Sequence, residues 1–304
     1  MEAENRMNKL DKFLRRATPY FFLLPAILIM TVFVYLPIVQ NFYFSLFRWS
    51  SIDPNWKFIG LGNYVRIVSD PLIVTSLRNN TLYALISVLF QVFISLVLAY
   101  LLESKLIRPT MSTTFRNILF IPSVLAVSVV GLTWNLIYRP DTGLINQFLR
   151  VVGLGSWTHT WLGEEATSIF AVIGVSQWQW VGYCMILFIV AIQAIPDELF
   201  ESARIDGATP WQQFMKIAVP LVRETILVIT TITVIGGFKV FDIVYVMTGG
   251  GPNHASDVLG NYLYRVGFRN DEMGYASAIA TLLFVITFLL TIVQLRIGRT
   301  GQEA

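Results

Sequence analysis

The chain has little of what soluble enzymes use for chemistry. Only 13% of its 304 residues are charged and 55% are hydrophobic, which excludes an ordinary soluble domain. The single cysteine, Cys184, lies inside an apolar run, so we expect neither a disulfide framework nor a thiolate metal site. His159 and His254 are far apart and form no ligand motif. A formal net charge of +3 gives no support to nucleic-acid binding.

Sequence motifs for nucleotide hydrolysis and for hydrolytic catalysis are also missing. No Gly-Lys dipeptide occurs, so the chain has no phosphate-binding loop of the G-x-x-x-x-G-K-[S/T] kind. Neither H-E-x-x-H nor G-x-S-x-G is present. We therefore expect a protein that is not an enzyme and binds no cofactor of its own. If it does work driven by ATP, another chain must hold the ATP and magnesium.

Long apolar runs are the main feature that is present. Their lengths are near the ~20 residues that a helix needs to cross a hydrocarbon core of ~30 Å. The sequence predicts an all-α integral membrane protein, with one six-span domain over 19–297 between polar tails at 1–18 and 298–304. The first run is too long for a signal peptide and is not followed by a cleavage pattern, so we interpret it as a span. The predicted spans lie at about 20–42, 79–102, 117–138, 168–195, 222–247 and 274–296.

Lysine and arginine residues indicate the orientation of these spans. Basic residues concentrate before the first span and in the short segment 104–116, which holds Lys105, Arg108 and Arg116. Positive charge is typical of cytoplasmic segments. An even number of spans places both termini on the same side. We therefore expect both termini, and the segment 195–220, to be cytoplasmic.

The segment 195–220 is an island of charge and turn residues between two apolar runs. Pro196 suits the first position of a helix, and Gly207 suits the left-handed position that ends one. Thr209 with Gln212 has the spacing of a capping box, which predicts a second helix immediately after the turn. Pro220 is expected to end that helix. The pattern predicts a helix–turn–helix outside the bilayer.

Eight residues of this island resemble the EAA loop of permease subunits from binding-protein-dependent ABC importers. Ser202 stands where that family often has Ala. The resemblance implies a type I importer fold, in which the loop is a coupling helix that docks into a groove of a cytoplasmic ATPase. Glu201 would meet a basic partner there, and Phe214 and Ile217 would anchor the helix by apolar burial. The matching residues are Glu201, Ala203, Asp206, Gly207, Ala208, Phe214, Ile217 and Pro220.

A second stretch, 248–252, resembles a recurring feature of the sugar-importer branch of this family, and its Thr-Gly-Gly-Gly-Pro sequence must end the fifth span sharply. The resemblance as a whole covers about 19–297. It implies a second, similar permease subunit (expected to be a different chain), two ATPase subunits and an extracytoplasmic solute-binding protein. It also implies the cytoplasmic membrane of a bacterium or archaeon as the location, with lipid around the spans.

Candidate residues of a solute pathway lie on the spans that flank the island. Aromatic rings and amides suit a sugar, because they can contact its C–H faces and its hydroxyls. Resemblance to maltose-type permeases implies that four of the candidates, at 180, 183, 233 and 237, line the site. The candidates are Gln177, Trp178, Gln179, Trp180, Tyr183, Thr230, Thr233, Gly237, Lys239 and Asp242.

Lys239 and Asp242 admit two interpretations. Their i, i+3 spacing would allow an ion pair on one helix face, with the Lys239 stem reaching the outer interface. Alternatively they form an external gate or contact an anionic solute.

The expected function is therefore the permease subunit of an ATP-driven importer for a carbohydrate, with a di- or oligosaccharide favoured. Glycerol phosphate or a polyol is the alternative solute within the same class. An integral-membrane enzyme or an ion-coupled secondary transporter is a more distant alternative. Both would need ionisable residues within the spans, and only Lys239 and Asp242 qualify.

Overall fold

The computed structural model describes residues 18–53, 55–104 and 107–300, with side chains to residue 297. Nearly all of the predicted tail at 1–18, and the side chains of the tail at 298–304, fall outside the described residues. Within the described residues, four helices are long and apolar enough to cross a membrane. They are α1 (Thr18–Phe44), α3 (Pro71–Glu103), α7 (Glu165–Gln193) and α13 (Met273–Thr300).

Two further helix pairs qualify if each bent pair is taken together, which gives up to six crossing segments. The first pair, α4 (Pro109–Val124) and α5 (Val127–Ile137), is bent by 102°. The second, α9 (Pro210–Leu221) and α10 (Arg223–Lys239), is bent by 73°. The described residues also form β1 (Phe47–Arg48), β2 (Lys57–Phe58), α2 (Gly62–Ser69), α6 (Leu144–Val151), a short 3-10 helix (Gly155–Trp157), α8 (Asp197–Ile205), α11 (Asp242–Met247) and α12 (Leu259–Tyr264).

Helices were predicted well where the apolar runs are uninterrupted. The expectations for 20–42, 168–195 and 274–296 coincide with α1, α7 and α13 to within a few residues. The prediction for 79–102 was too short, because Asp70 caps the helix by accepting from the Leu72 N–H, so α3 begins at Pro71.

Three predictions about continuity were wrong. The helix expected over 117–138 bends at Leu125 and Ala126, and the one expected over 222–247 is interrupted at Val240 and Phe241. Pro220 does not end its helix, since α9 continues to Leu221 and the bend follows it.

The chain divides into two compact units. The first comprises the described residues up to Arg66 together with Val266–Thr281, and the second comprises Ile67–Arg265 together with the residues from Leu282.

In the first unit, an antiparallel hairpin of β1 and β2 pairs Phe47 with Phe58. The Asn63 amide donates to the carbonyls of Ser45 and Phe47 at 2.8 and 3.0 Å, which holds the residues before and within β1. Asp271 accepts hydrogen bonds from the Ser50 and Ser51 hydroxyls and the Ser51 N–H, which lower its pKa to about 2.

In the second unit, α3 and α4 pack against α7. The core between them includes Val92, Leu96, Met185, Phe188 and Ile192, all buried. The two helices α7 and α4 approach closely at Gly182, where a Cβ atom would lie 1.8 Å from the Leu119 carbonyl oxygen of α4. Only glycine fits this contact, because a methyl group would overlap the backbone of α4.

A glutamine of α7 bonds to the backbone at the bend between α4 and α5. The Gln179 amide donates to the Leu125 carbonyl at 3.0 Å, and the side chain is almost completely buried. A carbonyl released from a helix and left without a donor in an apolar environment is costly. Gln179 removes that cost and fixes where the bend occurs.

An asparagine of α3 does the same at the break between α10 and α11. The Asn80 amide donates to the carbonyls of Gly237 and Phe238 at 2.9 and 3.1 Å. In a continuous helix these carbonyls would accept from the N–H groups four residues later, at 241 and 242. The Asn80 side-chain oxygen also accepts from the Leu259 N–H at 2.9 Å, and the residue is fully buried.

We predict that Gly182→Ala lowers the melting temperature of the purified protein in detergent, because overpacking against backbone costs about 1–3 kcal/mol. Gly174→Ala on the same helix is the control, since the atom nearest to its added Cβ is 3.8 Å away. Equal melting temperatures for the two variants would show that α4 can move away from α7 without loss.

We predict that Asn80→Leu destabilises the protein by roughly 3 kcal/mol or more, because it leaves buried backbone groups without partners at about 1–3 kcal/mol each. The control is Thr81→Val, which changes the exposed neighbouring side chain. Denaturant titration followed by tryptophan fluorescence would measure both. An Asn80→Leu variant as stable as the control would mean that the break does not depend on this amide.

Candidate functional site

A cavity of about 320 Å³ lies in the second unit, between α3, α5, α7, α10 and α11. The broken segment at Val240 and Phe241 forms part of its wall. Irregular backbone inside a membrane protein is tolerated where it lines a cavity or is buried in protein. Both the location and the volume are those of a small-molecule site.

Seven of the ten predicted pathway residues line this cavity. Helix α7 supplies the amide of Gln179 and the rings of Trp180 and Tyr183. The two rings meet edge to face, with centroids 6.0 Å apart. Gly237 combines two roles, since a Cβ there would lie 2.7 Å from the Ala84 Cα of α3. The seven are Gln179, Trp180, Tyr183, Thr233, Gly237, Lys239 and Asp242.

The other three predicted residues lie elsewhere. Gln177 is buried behind the cavity wall, where its amide donates to the Ser87 hydroxyl and the Ile173 carbonyl. Trp178 faces the opposite side of α7 and packs edge to face on Trp134 at 5.4 Å. Thr230 donates its hydroxyl to the Ile226 carbonyl, one turn earlier in α10, and does not line the cavity.

Sequence reasoning missed the wall that α3 supplies. Tyr83, Ser87 and Gln91 line the cavity, as does Ser176 of α7. The Gln91 amide donates to the Gln177 side-chain oxygen at 3.0 Å, and the Thr233 hydroxyl donates to the Gln91 oxygen at 3.5 Å. A signal was present, because polar residues recur at 80, 83, 87 and 91 of an otherwise apolar run, which is one helix face.

Lys239 and Asp242 line the cavity but do not form the expected ion pair. Among the described residues, neither side chain has an ion-pair partner within 4.0 Å. The spacing argument failed because α10 ends at Lys239 and α11 begins at Asp242, so the two residues do not share one helix face.

The segment 195–220 contains the two helices that its capping residues predict. Gly207 has φ +79° and follows α8, and the Ala208 N–H donates back to the Ala203 carbonyl at 2.8 Å. Thr209 and Gln212 form a complete capping box at the start of α9. Glu201, Asp206 and Pro220 are exposed, whereas Ala203 and Ala208 are half-buried.

The two apolar residues expected to anchor this segment in a partner are instead packed within the chain. Phe214 is 5% exposed, and its ring lies 5.0 Å from that of Tyr100 on α3. Ile217 packs against the same core. The Tyr100 hydroxyl donates to the Pro210 carbonyl at 3.0 Å. These contacts hold α9 to the end of α3.

Other apolar side chains of the segment remain exposed. Ile205 at the end of α8 is 86% exposed, and Trp211 in the first turn of α9 is 63% exposed. Leu199 of α8 is also exposed. These three are exposed large apolar side chains of the segment that the motif did not reveal.

The turn at 248–252 follows α11, as its glycines predict. Gly249 and Gly250 have φ +59° and +91°. The buried Asp257 carboxylate accepts from Asn261 and Arg265, and Asn261 also donates to the Gly249 carbonyl at 3.0 Å. A Cβ at Gly250 would lie 2.6 Å from the Asp257 carboxylate, so the network leaves no space for a side chain at this position.

The family model described as "Binding-protein-dependent transport system inner membrane component" matches residues 91–300. The probable ABC transporter permease protein YurN of Bacillus subtilis is 50% identical over 94% of this chain and 97% of its own length. The arabinooligosaccharides transport system permease protein AraP of Halalkalibacterium halodurans is 34% identical over 92% of this chain and 87% of its own.

A solved structure with the same fold is that of a bacterial ABC transporter involved in the import of the acidic polysaccharide alginate. It superimposes with a TM-score of 0.83 over 96% of this chain and 99% of the matched chain, at 23% identity. The family match includes the 195–220 segment and the residues that line the cavity from Gln91 onward. The chain therefore belongs to the family of inner-membrane permease components of binding-protein-dependent transport systems.

Proposed function

We propose that this chain is one of two permease subunits in an ATP-driven importer of a carbohydrate, and that the cavity is its share of the translocation pathway. The observation that carries the proposal is the composition of the cavity wall. Aromatic rings, among them those of Trp180 and Tyr183, line the space together with hydroxyl and amide groups from α3, α7 and α10. A relative whose name assigns it arabinooligosaccharides supports the same solute class.

The chemistry of the wall suits a sugar better than an apolar solute. Aromatic faces contact the C–H faces of a pyranose or furanose ring, and their edges leave the hydroxyls free. Ser87, Ser176, Gln91 and Thr233 supply donors and acceptors for those hydroxyls. A volume of about 320 Å³ suits one or two sugar residues, and the second permease subunit would supply the rest of the enclosure.

In the proposed topology, each bent pair α4–α5 and α9–α10 contributes one of six spans. Both termini and the segment 195–220 would lie in the cytoplasm, as the distribution of lysine and arginine indicates. A solute-binding protein would deliver the carbohydrate from the other side. ATP and magnesium would be held by two ATPase subunits and not by this chain.

Coupling would work through the connection of the 195–220 segment to both walls of the cavity. The segment joins α7 directly to α10, and Tyr100 ties α9 to α3. Burial of Ile205 and Trp211 in the ATPase would attach the segment to that subunit. When the ATPases close on ATP, the displaced segment would carry α7 and α10 with it, and access to the cavity would switch between the two sides.

We predict that Trp180→Leu lowers carbohydrate uptake by reconstituted vesicles at least tenfold, because stacking and C–H contacts are lost. Trp178→Leu is the matched control on the same helix, since that ring does not line the cavity. Equal losses in the two variants would contradict this pathway. Uptake of glycerol phosphate or a polyol, with no uptake of any saccharide, would overturn the carbohydrate assignment itself.

We predict that Gly207→Asp abolishes ATP hydrolysis stimulated by the solute-binding protein while the chain still inserts in the membrane. The substitution places a non-glycine residue at φ +79° in the turn of the coupling segment. Gly153→Asp is the control, because Gly153 has φ +81° and an equally open surrounding at a different turn. Stimulated ATPase activity that falls equally in both variants would indicate a general folding effect.

A further inference from the structure

The cavity contains two charged residues among the described residues that line it. These are Lys239, at the carboxyl end of α10, and Asp242, at the amino end of α11. Neither is needed for a neutral sugar, because the rings, hydroxyls and amides of the same wall already match its surface. Charges in a membrane-embedded cavity are expensive, and such residues are usually retained where they serve a function.

The geometry of the helix break holds these charges in place. Lys239 lies in the last turn of α10 and Asp242 in the first turn of α11, where helix dipoles favour a cation and an anion respectively. Asn80 holds the last turn of α10, next to Lys239, through the carbonyls of Gly237 and Phe238. The positions of the two charged residues are therefore set by the backbone at the break and not by an ion pair between them.

Both side chains are exposed to the cavity and have no ion-pair partner among the described residues. Asp257, the buried carboxylate farther along the chain, is different, because Arg265 neutralises it. A free cation and a free anion, three residues apart in the sequence and on the wall of one cavity, offer complementary positions to a ligand with both charges.

We propose that the solute is a saccharide derivative that carries both a carboxylate and an ammonium group, such as a sugar joined to an amino acid. The inference rests on the proposed function, because it assigns the charged groups of the same cavity. Lys239 would bind the carboxylate and Asp242 the ammonium group. The sugar ring would lie against Trp180 and Tyr183, with its hydroxyls toward α3.

Binding should be measured on the whole importer, with its partner permease and ATPases in lipid nanodiscs, without the solute-binding protein. Omitting that protein removes its own selectivity. Four probes separate the charges: trehalose is neutral, glucuronate anionic, glucosamine cationic, and a glucose–glycine conjugate with a free carboxylate and a secondary amine carries both. Tryptophan fluorescence titration gives the affinity of each.

We predict that the doubly charged conjugate binds at least tenfold more tightly than trehalose. Lys239→Gln should weaken binding of the conjugate and of glucuronate about tenfold, since one charge-assisted contact is lost, and leave glucosamine unchanged. Asp242→Asn should weaken the conjugate and glucosamine and leave glucuronate unchanged. Thr230→Val is the control on α10, because Thr230 does not line the cavity.

Two results would overturn the inference while the proposed function stands. Trehalose could bind as tightly as the conjugate, or both variants could bind all four probes as the unaltered importer does. Either would mean that Lys239 and Asp242 pair with the second permease subunit or with each other in the assembled importer. If no saccharide binds, and the assembled importer takes up none in vesicles with its solute-binding protein, the proposed function itself fails.

Discussion

The arrangement of the second unit depends on how it satisfies backbone carbonyls where helices are interrupted. A membrane interior supplies no water for such groups, so each interruption needs a donor from the protein. Gln179 supplies it at the bend between α4 and α5, and Asn80 at the break between α10 and α11. Both amides are almost fully buried, and each comes from a helix that also forms a cavity wall. The interruptions, and the space they enclose, follow from these bonds.

This dependence explains why polar residues in the apolar runs are of two kinds. In some, such as Asn80 and Gln177, the side-chain amide is engaged in hydrogen bonds within the chain. Others, such as Lys239 and Asp242, line the cavity and are available to a ligand. Gln179 belongs to both groups, because its amide holds the Leu125 carbonyl while the side chain lines the cavity. Position along a span does not separate these roles, whereas the hydrogen-bond partners do.

The sequence was sufficient for features that depend on local chemistry. Hydropathy predicted α1, α7 and α13, and the capping residues predicted the turn at Gly207 and the start of α9. It was insufficient where a distant partner decides the outcome. The break after Lys239, for example, depends on Asn80, which lies 157 residues before the carbonyl of Gly237 that it binds. The hydropathy of an apolar run does not show whether its helix bends. Phe214 was assigned to a partner surface for the same reason, since its contact with Tyr100 is invisible to the motif.

The continuous length of α7 has a mechanical consequence. Its 29 residues form a rod of roughly 43 Å without a joint, whereas α3 contains a wider turn and the neighbouring pairs are bent or broken. Near its middle, Gly182 brings it into backbone contact with α4. A rod that tilts about such a point moves its two ends in opposite directions and its centre hardly at all. Trp180 and Tyr183 lie on either side of Gly182. They would therefore stay in contact with a solute while the two ends of α7 close one entrance and open the other.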